Sequence, residues 1–220
     1  MTRTSRPTAP PEIAVAIVDD DQMVRTALRR YLGIAPDITV VGDCASAADA
    51  LALLGDTHVD VLLMDINMPR MDGVEATRAV LAASPTTRVV MVTSLDDTEV
   101  VHAAIDAGAT GFLLKTVTPE ALVHSVRGVH RGVSVVSGLR LDAVVQPAPV
   151  AAADAPALTE READVLTLLC RGLSNQEIGQ QLFLSESSIK GYVTSLMAKL
   201  GVTSRLKAVV RAHEWGLDQR

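Results

Sequence analysis

Val61-Leu62-Leu63-Met64-Asp65-Ile66-Asn67-Met68-Pro69-Arg70-Met71-Asp72-Gly73 is the stretch around which the chain is arranged. An unbroken apolar run ends at one carboxylate, and a loop punctuated by Pro69 and Gly73 follows. Apolar residues in succession, without alternation, suit a strand covered on both faces, as a central strand of a parallel sheet must be. Open parallel sheets bind their ligands beyond the carboxyl ends of the strands. Asp65 is therefore placed where chemistry is done. Taken alone, it could equally cap a strand-to-helix loop, so the question is what else converges on it.

Working outward, strand and helix patterns alternate. Ile13 to Val18 is apolar and runs into Asp19-Asp20-Asp21, and Val24, Ala27, Leu28, Tyr31 and Leu32 then recur at helical spacing. Ile38 to Val41 predicts a second strand, Ser46 to Leu54 a helix, Val74 to Ala83 another, and Val89 to Val92 a fourth strand ending in Thr93-Ser94. Thr98 to Ala107 predicts a helix stopped by Gly108, Gly111 to Lys115 a fifth strand, and Pro119 to His130 a closing helix. Five strands alternating with five helices predict an α/β unit with a doubly wound, five-stranded parallel sheet.

In such a sheet the strand ends share one edge. Strand one brings Asp19 and Asp20 there, strand three Asp65, strand four Thr93 and strand five Lys115. Three carboxylates at one edge repel unless a cation lies among them. A hard divalent ion with oxygen ligands, Mg²⁺ foremost, relieves that repulsion and can also hold phosphoryl oxygens. Lys115 adds a compact positive charge, and the Thr93 hydroxyl can donate to a transferred group. The set suits a carboxylate nucleophile that accepts a phosphoryl group. Each residue also has an ordinary reading: acids favoured at a helix N-terminus, a strand-edge hydroxyl, a core Phe112, a surface lysine. Their joint order along the strands favours the phospho-acceptor.

At 220 residues the chain has room for two small domains, and with 2% aromatic residues its core must come from aliphatic side chains and Met. Cys44 and Cys170 lack metal-ligand spacing and read as buried thiols of a reducing cytosol. No apolar run reaches membrane-spanning length, and no apolar signal core follows the polar Met1 to Pro11. A cytoplasmic protein without a membrane partner is expected. The net charge of −6 is uneven: residues 1–140 carry 12 basic and 17 acidic residues, residues 158–220 carry 8 and 7. The overall acidity leaves a nucleic-acid role open for the last part.

Residues 141–157 hold three prolines among alanines, without amphipathic period, and read as a semi-stiff tether. The remainder reads as four helices. Thr159 and Glu162 form a capping box, Ser174 to Glu177 cap a second helix carrying Ile178 and Leu182, and Phe183-Leu184 makes a tight turn. Ser185 to Ser188 open a third helix that runs to Leu200 and Gly201. Thr203-Ser204 start a fourth, with Leu206, Val209 and Val210 facing inward. Two short helices with a tight turn make a helix-turn-helix, whose second helix lies in the major groove. Its outward residues, Ser187, Ser188, Lys190, Gly191, Thr194, Ser195 and Lys199, are small, polar or basic. Ser185 and the helix amides can donate to phosphates. A small helical bundle that binds protein is the plain alternative.

Residues 13 to about 131 resemble the receiver domain of two-component response regulators, a flavodoxin-like fold. The segments that carry the likeness are Ile17-Val18-Asp19-Asp20, Met64-Asp65-Ile66-Asn67-Met68-Pro69, Val92-Thr93-Ser94 and Gly111-Phe112-Leu113-Leu114-Lys115. The resemblance implies phosphorylation of Asp65 by a sensor histidine kinase. It implies Mg²⁺ held by Asp20, Asp65 and the Asn67 carbonyl, with Asp19 acting through a metal-bound water. Thr93 and Lys115 would contact the phosphoryl group, and Phe112 would be the switch aromatic that turns inward. Asp21 departs from the family pattern: it either adds repulsion or caps the next helix.

Residues 158–220 resemble the LuxR-type DNA-binding domain through Leu158-Thr159-Glu160-Arg161-Glu162, Gly172 to Ile178, Ser188-Ile189-Lys190 and Lys199-Leu200-Gly201-Val202. The resemblance implies that Lys190, Gly191 and Thr194 face base edges of double-stranded DNA. Asn175, Lys199 and Arg205 would suit backbone contact. Relatives often carry Lys or Arg at the position of Thr194 and His at that of Tyr192. The modest charge predicts weak nonspecific binding by a single domain, so a homodimer on DNA is expected. The likeness to these regulators makes the last helix, around Leu206 to Ala212, the expected dimer contact.

The expected organisation is a disordered tail (1–11), a receiver (12–132), a linker (133–157) and the DNA-binding domain (158–220). The expected role is a NarL/FixJ-type, phosphorylation-dependent transcriptional regulator, not an enzyme. An aspartyl-phosphate phosphatase is a rival, but such enzymes usually carry a second Asp where Asn67 stands. A receiver-like scaffold that is not phosphorylated is another, opposed by the presence of Asp19, Asp20, Thr93 and Lys115.

Overall fold

The structure, a computed structural model, describes residues 12–94, 98–137 and 155–218, so the expected tail and most of the expected linker lie outside it. In the first part β1 (Ile13–Val18), α1 (Gln22–Leu32), β2 (Ile38–Cys44), α2 (Ala47–Asp56), β3 (Val61–Asp65), α3 (Gly73–Ala83), β4 (Arg88–Thr93), α4 (Thr98–Ala107), β5 (Gly111–Leu114) and α5 (Pro119–His130) alternate as predicted. They form one parallel sheet of order β2-β1-β3-β4-β5-β6. Every residue of β3 is buried. Leu62 and Met64 enter a cluster with residues of α2, α3 and α4, while Val61 and Leu63 enter the opposite cluster with α1 and α5. Successive side chains of a strand point to opposite faces, so a strand covered on both sides must be apolar throughout. Each such side chain contributes about 1.5–3 kcal/mol by leaving water.

The sheet has a sixth strand where five were expected. Val135–Ser137 forms β6, parallel to β5, so the first residues of the expected linker extend the sheet instead. The segment is too short for a periodic signal, but it covers the edge that β5 would otherwise expose. Gly111 permits the pairing, since a Cβ there would stand 2.6 Å from the Val135 carbonyl oxygen.

The second part is α6 (Glu160–Cys170), α7 (Asn175–Leu182), α8 (Glu186–Leu200) and α9 (Arg205–Glu214). Reciprocal capping boxes, Thr159 with Glu162 and Ser174 with Glu177, start α6 and α7. Val165, Leu166, Leu169, Ile178, Ile189 and Leu196 form the core. Ala208 and Ala212 of α9 join that core. Leu206 and Val210, expected to face inward within this unit, instead join the cluster holding Val101, Ala104 and Ile105 of α4. Lys207 of α9 pairs with Asp106 of α4 beside them. The two units are thus docked through α4 and α9. Cys44 is buried, Cys170 is partly buried, and both are free thiols. Among the described residues, no helix is long and apolar enough to cross a membrane.

Candidate functional site

Parallel register assembles the predicted cluster. Val18 lies opposite Met64, Asp65 opposite Val92 and Thr93 opposite Leu114, so Asp19, Asp65, Thr93 and Lys115 all emerge at the carboxyl edge. The Lys115 amide donates to the Thr93 carbonyl at 2.7 Å, which holds the start of the β5–α5 loop beside β4. The Lys115 ammonium then sits 2.8 Å from Asp19 Oδ2 and 2.9 Å from Asp65 Oδ1. Asp19 and Asp65 are 1% and 3% exposed, whereas Asp20 is open to solvent. Carboxylate oxygens of Asp19, Asp20 and Asp65 lie within 4.8 Å of one another.

Burial pushes the Asp65 carboxyl above its usual range; Lys115 pulls it back, the Asp19 charge pushes it further up, and the net effect is upward. Burial opposes the charge on Lys115, but its bonds to Asp19 and Asp65 outweigh that and hold it above its ordinary value. Three carboxylates face one ammonium, and all the acidic donors are oxygens. That excess charge and donor set fit a hard divalent cation.

Asp21 resolves as a cap: its carboxylate accepts the Met23 amide at 2.7 Å and starts α1. Thr93 is buried at the strand end, and Asn67 is exposed beside Asp65. Phe112, read as an aromatic that turns inward on activation, is already fully buried in the cluster with Met91, Val101 and Ile105. Gly73 has a stronger role than loop shape. A Cβ on it would lie 2.2 Å from the Asp65 carbonyl oxygen and 2.8 Å from Ile66 Cα, so α3 begins hard against the end of β3. Arg70, with φ +74, bends the loop between them. The sequence marks Pro69 and Gly73 as punctuation, but nothing local in it announces a left-handed Arg70.

In the helical unit, Ser185 caps α8 by accepting the Ser188 amide at 3.1 Å. Ser185, Ser188, Lys190, Gly191 and Thr194 are exposed. Lys190 pairs along the surface with Glu186 at 2.9 Å, and the Thr194 hydroxyl donates to the Lys190 carbonyl. Three residues expected to touch the DNA backbone have partners within the protein. Lys199 reaches Glu162 at 2.6 Å, with Ser195 donating to the same carboxylate at 2.9 Å. Arg205 donates to Asn175 Oδ1 at 2.8 Å and to the Leu173 carbonyl. Burial lowers Arg205 to about 10. These contacts join sequence positions about 30 residues apart, which no helical pattern reveals.

Comparison with known proteins agrees with this geometry. Residues 15–127 match the model of the response regulator receiver domain, and residues 156–212 that of the luxR family of bacterial regulatory proteins. The response regulator VraR of Staphylococcus aureus is 37% identical over 207 residues, 94% of this chain and 99% of that protein. The transcriptional regulatory protein YhcZ of Bacillus subtilis (strain 168) is 38% identical over 213 residues, 93% of this chain and 97% of that one. The crystal structure of ChrA, a response regulator of a heme-sensing two-component system, superposes with a TM-score of 0.51 at 33% identity, covering 94% of this chain and 100% of that one. Both the order of the two units and the end-to-end coverage are shared. The chain belongs to the two-component response regulators that join a receiver domain to a LuxR-type DNA-binding domain, and it is a phosphorylation-dependent transcriptional regulator.

Proposed function

We propose that Asp65 is the phospho-acceptor and that a sensor histidine kinase is the donor. The observation that carries this is the buried Asp65 carboxylate, 2.9 Å from a lysine that also holds Asp19. Asp65 attacks phosphorus, an acyl phosphate bond forms, the bond from phosphorus to the donor imidazole breaks, and its electron pair stays on the imidazole. Lys115 neutralises charge on the phosphoryl oxygens, and the Thr93 hydroxyl donates to one of them. Mg²⁺ would be held by Asp20, Asp65 and the Asn67 carbonyl, with Asp19 acting through water, and it would supply charge neutralisation at the phosphoryl group. Phosphorylation replaces the single charge of the Asp65 carboxylate with the about −1.5 to −2 of a phosphoryl group, so about −0.5 to −1 is added beside β4 and β5. Movement of Thr93 toward the new group shifts α4, and the α4–α9 contact is the element released.

The freed helical unit then binds double-stranded DNA as a homodimer, in the cytoplasm, with no enzymatic turnover of its own. Lys190, Gly191 and Thr194 face base edges, and Ser185 and Ser188 contact phosphates. Lys199 ties α8 to α6 through Glu162, and Arg205 ties α9 to the start of α7 through Asn175 and the Leu173 carbonyl. Incubating the full chain with Mg²⁺ and a small labelled acyl phosphate tests the acceptor: wild type takes up label and Asp65→Ala does not. Label retained by Asp65→Ala refutes the assignment.

A further inference from the structure

Arg25 of α1 is not among the residues that meet a phosphoryl group or a cation, yet its guanidinium is committed to the loop that carries two of the acids. Nη1 donates to the Asp19 carbonyl at 2.7 Å and to the Asp20 carbonyl at 3.2 Å. Nε donates to Asp43 Oδ1 at 2.6 Å, and Arg29 holds the other oxygen of that carboxylate at 3.2 Å. The Arg25 side chain is 14% exposed. Asp43 lies near the end of β2, where the β1–β2 register shifts after Val15, and the Asp19 amide donates to the Cys44 carbonyl at 3.2 Å. Asp19 and Asp20 follow β1 and precede the cap of α1, so no ladder or helix fixes their carbonyls. One planar fork bridges α1, β2 and the acidic loop.

We propose that Arg25, anchored by Asp43, is a positioning residue that sets the Asp19–Asp20 loop in a cation-binding geometry. The inference rests on the reading of the acidic cluster as a divalent-cation site. Its test separates two physical effects of opposite sign. A positive charge near three carboxylates repels an incoming cation, so on Coulomb grounds alone its removal tightens binding. A clamp that pre-organises the ligands has the reverse effect, and residues that orient metal ligands typically matter about 10-fold or more in affinity. Arg25→Lys keeps the charge but loses the fork: a lysine makes a point contact and cannot serve both carbonyls and Asp43 together.

The experiment is calorimetric titration of the unphosphorylated full chain with Mg²⁺, alongside its melting temperature without added cation. Arg25→Gln is expected to weaken Mg²⁺ binding about 10-fold, Arg25→Lys to recover less than half of that loss, and Asp43→Asn to weaken it about 3-fold. In phosphorylation by a small acyl phosphate, Arg25→Gln raises the Mg²⁺ concentration needed for half-maximal rate, while saturating Mg²⁺ restores most of the rate. Unchanged or tighter Mg²⁺ binding by folded Arg25→Gln overturns the proposal, as does full recovery with Arg25→Lys. If Arg25→Gln does not fold, Asp43→Asn decides, and unchanged binding there overturns the clamp. A wild-type chain that binds no Mg²⁺ defeats the cation-site reading itself, and the clamp with it.

Discussion

Asp65 is a carboxylate held in a place that disfavours its charge. Burial raises its pKa, so above that value the ionised group costs folding stability, and the cost disappears as pH falls below the usual carboxylate range. Asp65→Asn should therefore stabilise the cation-free protein at neutral pH while abolishing phosphorylation. A gain of about 1 kcal/mol corresponds to a melting temperature roughly 2–4 °C higher, and calorimetry in a chelating buffer checks it. Gly73→Ala should act in the opposite direction. With 2.2 Å between the new methyl and the Asp65 carbonyl oxygen, either α3 or the end of β3 must move. A loss of about 1–3 kcal/mol and slower label uptake are expected, and wild-type values for both would contradict the close approach. Asp65 itself was legible in the sequence because an apolar run stops at it and three other strand ends supply its partners. The Gly73 constraint and the Arg25 fork were not, since each depends on how two elements meet.

At the scale of elements, α8 is stiffened by a long-range ionic anchor. Lys199 beside Glu162, aided by Thr159 and Ser195, holds the Glu162 carboxyl down at about 2. A carboxyl depressed in the folded state contributes stability above its unfolded value near 4.5, and loses it as pH falls from there toward 2. The contribution is at most about 3 kcal/mol. Glu162→Gln should thus flatten the acid-unfolding curve of the helical unit below pH 4.5, followed by circular dichroism. An unchanged acid limb would contradict the anchor. Lys190 is different in kind, because its ammonium pairs with Glu186 on the open surface. Lys190→Ala should leave stability within about 0.5 kcal/mol yet weaken specific DNA binding by about 1–3 kcal/mol and relax specificity at the bases it reads. Unchanged affinity in a salt titration of binding would remove Lys190 from the interface. The helices themselves were readable from caps at Thr159, Ser174 and Ser185. The commitments of Lys199 and Arg205 were not, because each joins segments far apart in the chain. β6 escaped for the opposite reason, being three residues long.

For the whole molecule, the account turns on α9 serving two masters. Leu206 and Val210 are buried against α4, so the helix expected to join two copies is occupied within one chain. Asp106→Lys places a like charge against Lys207 without altering α9. Because both partners reach solvent, at 59% and 24% exposure, the ion pair contributes about 1 kcal/mol or less. Unphosphorylated Asp106→Lys is therefore expected to bind promoter DNA up to about 5-fold more tightly than wild type, and weaker binding would contradict a restraining contact. The two-part architecture was plain from the change of pattern around the proline-rich segment, but the docking was hidden, since Leu206 and Val210 look like ordinary core positions of their own unit. The most direct test of the central claim is a titration of the protein's own promoter DNA, with and without a small acyl phosphate and Mg²⁺, comparing wild type with Asp65→Asn. The account predicts that the phosphodonor tightens wild-type binding and leaves Asp65→Asn unmoved. Equal tightening in both would contradict it.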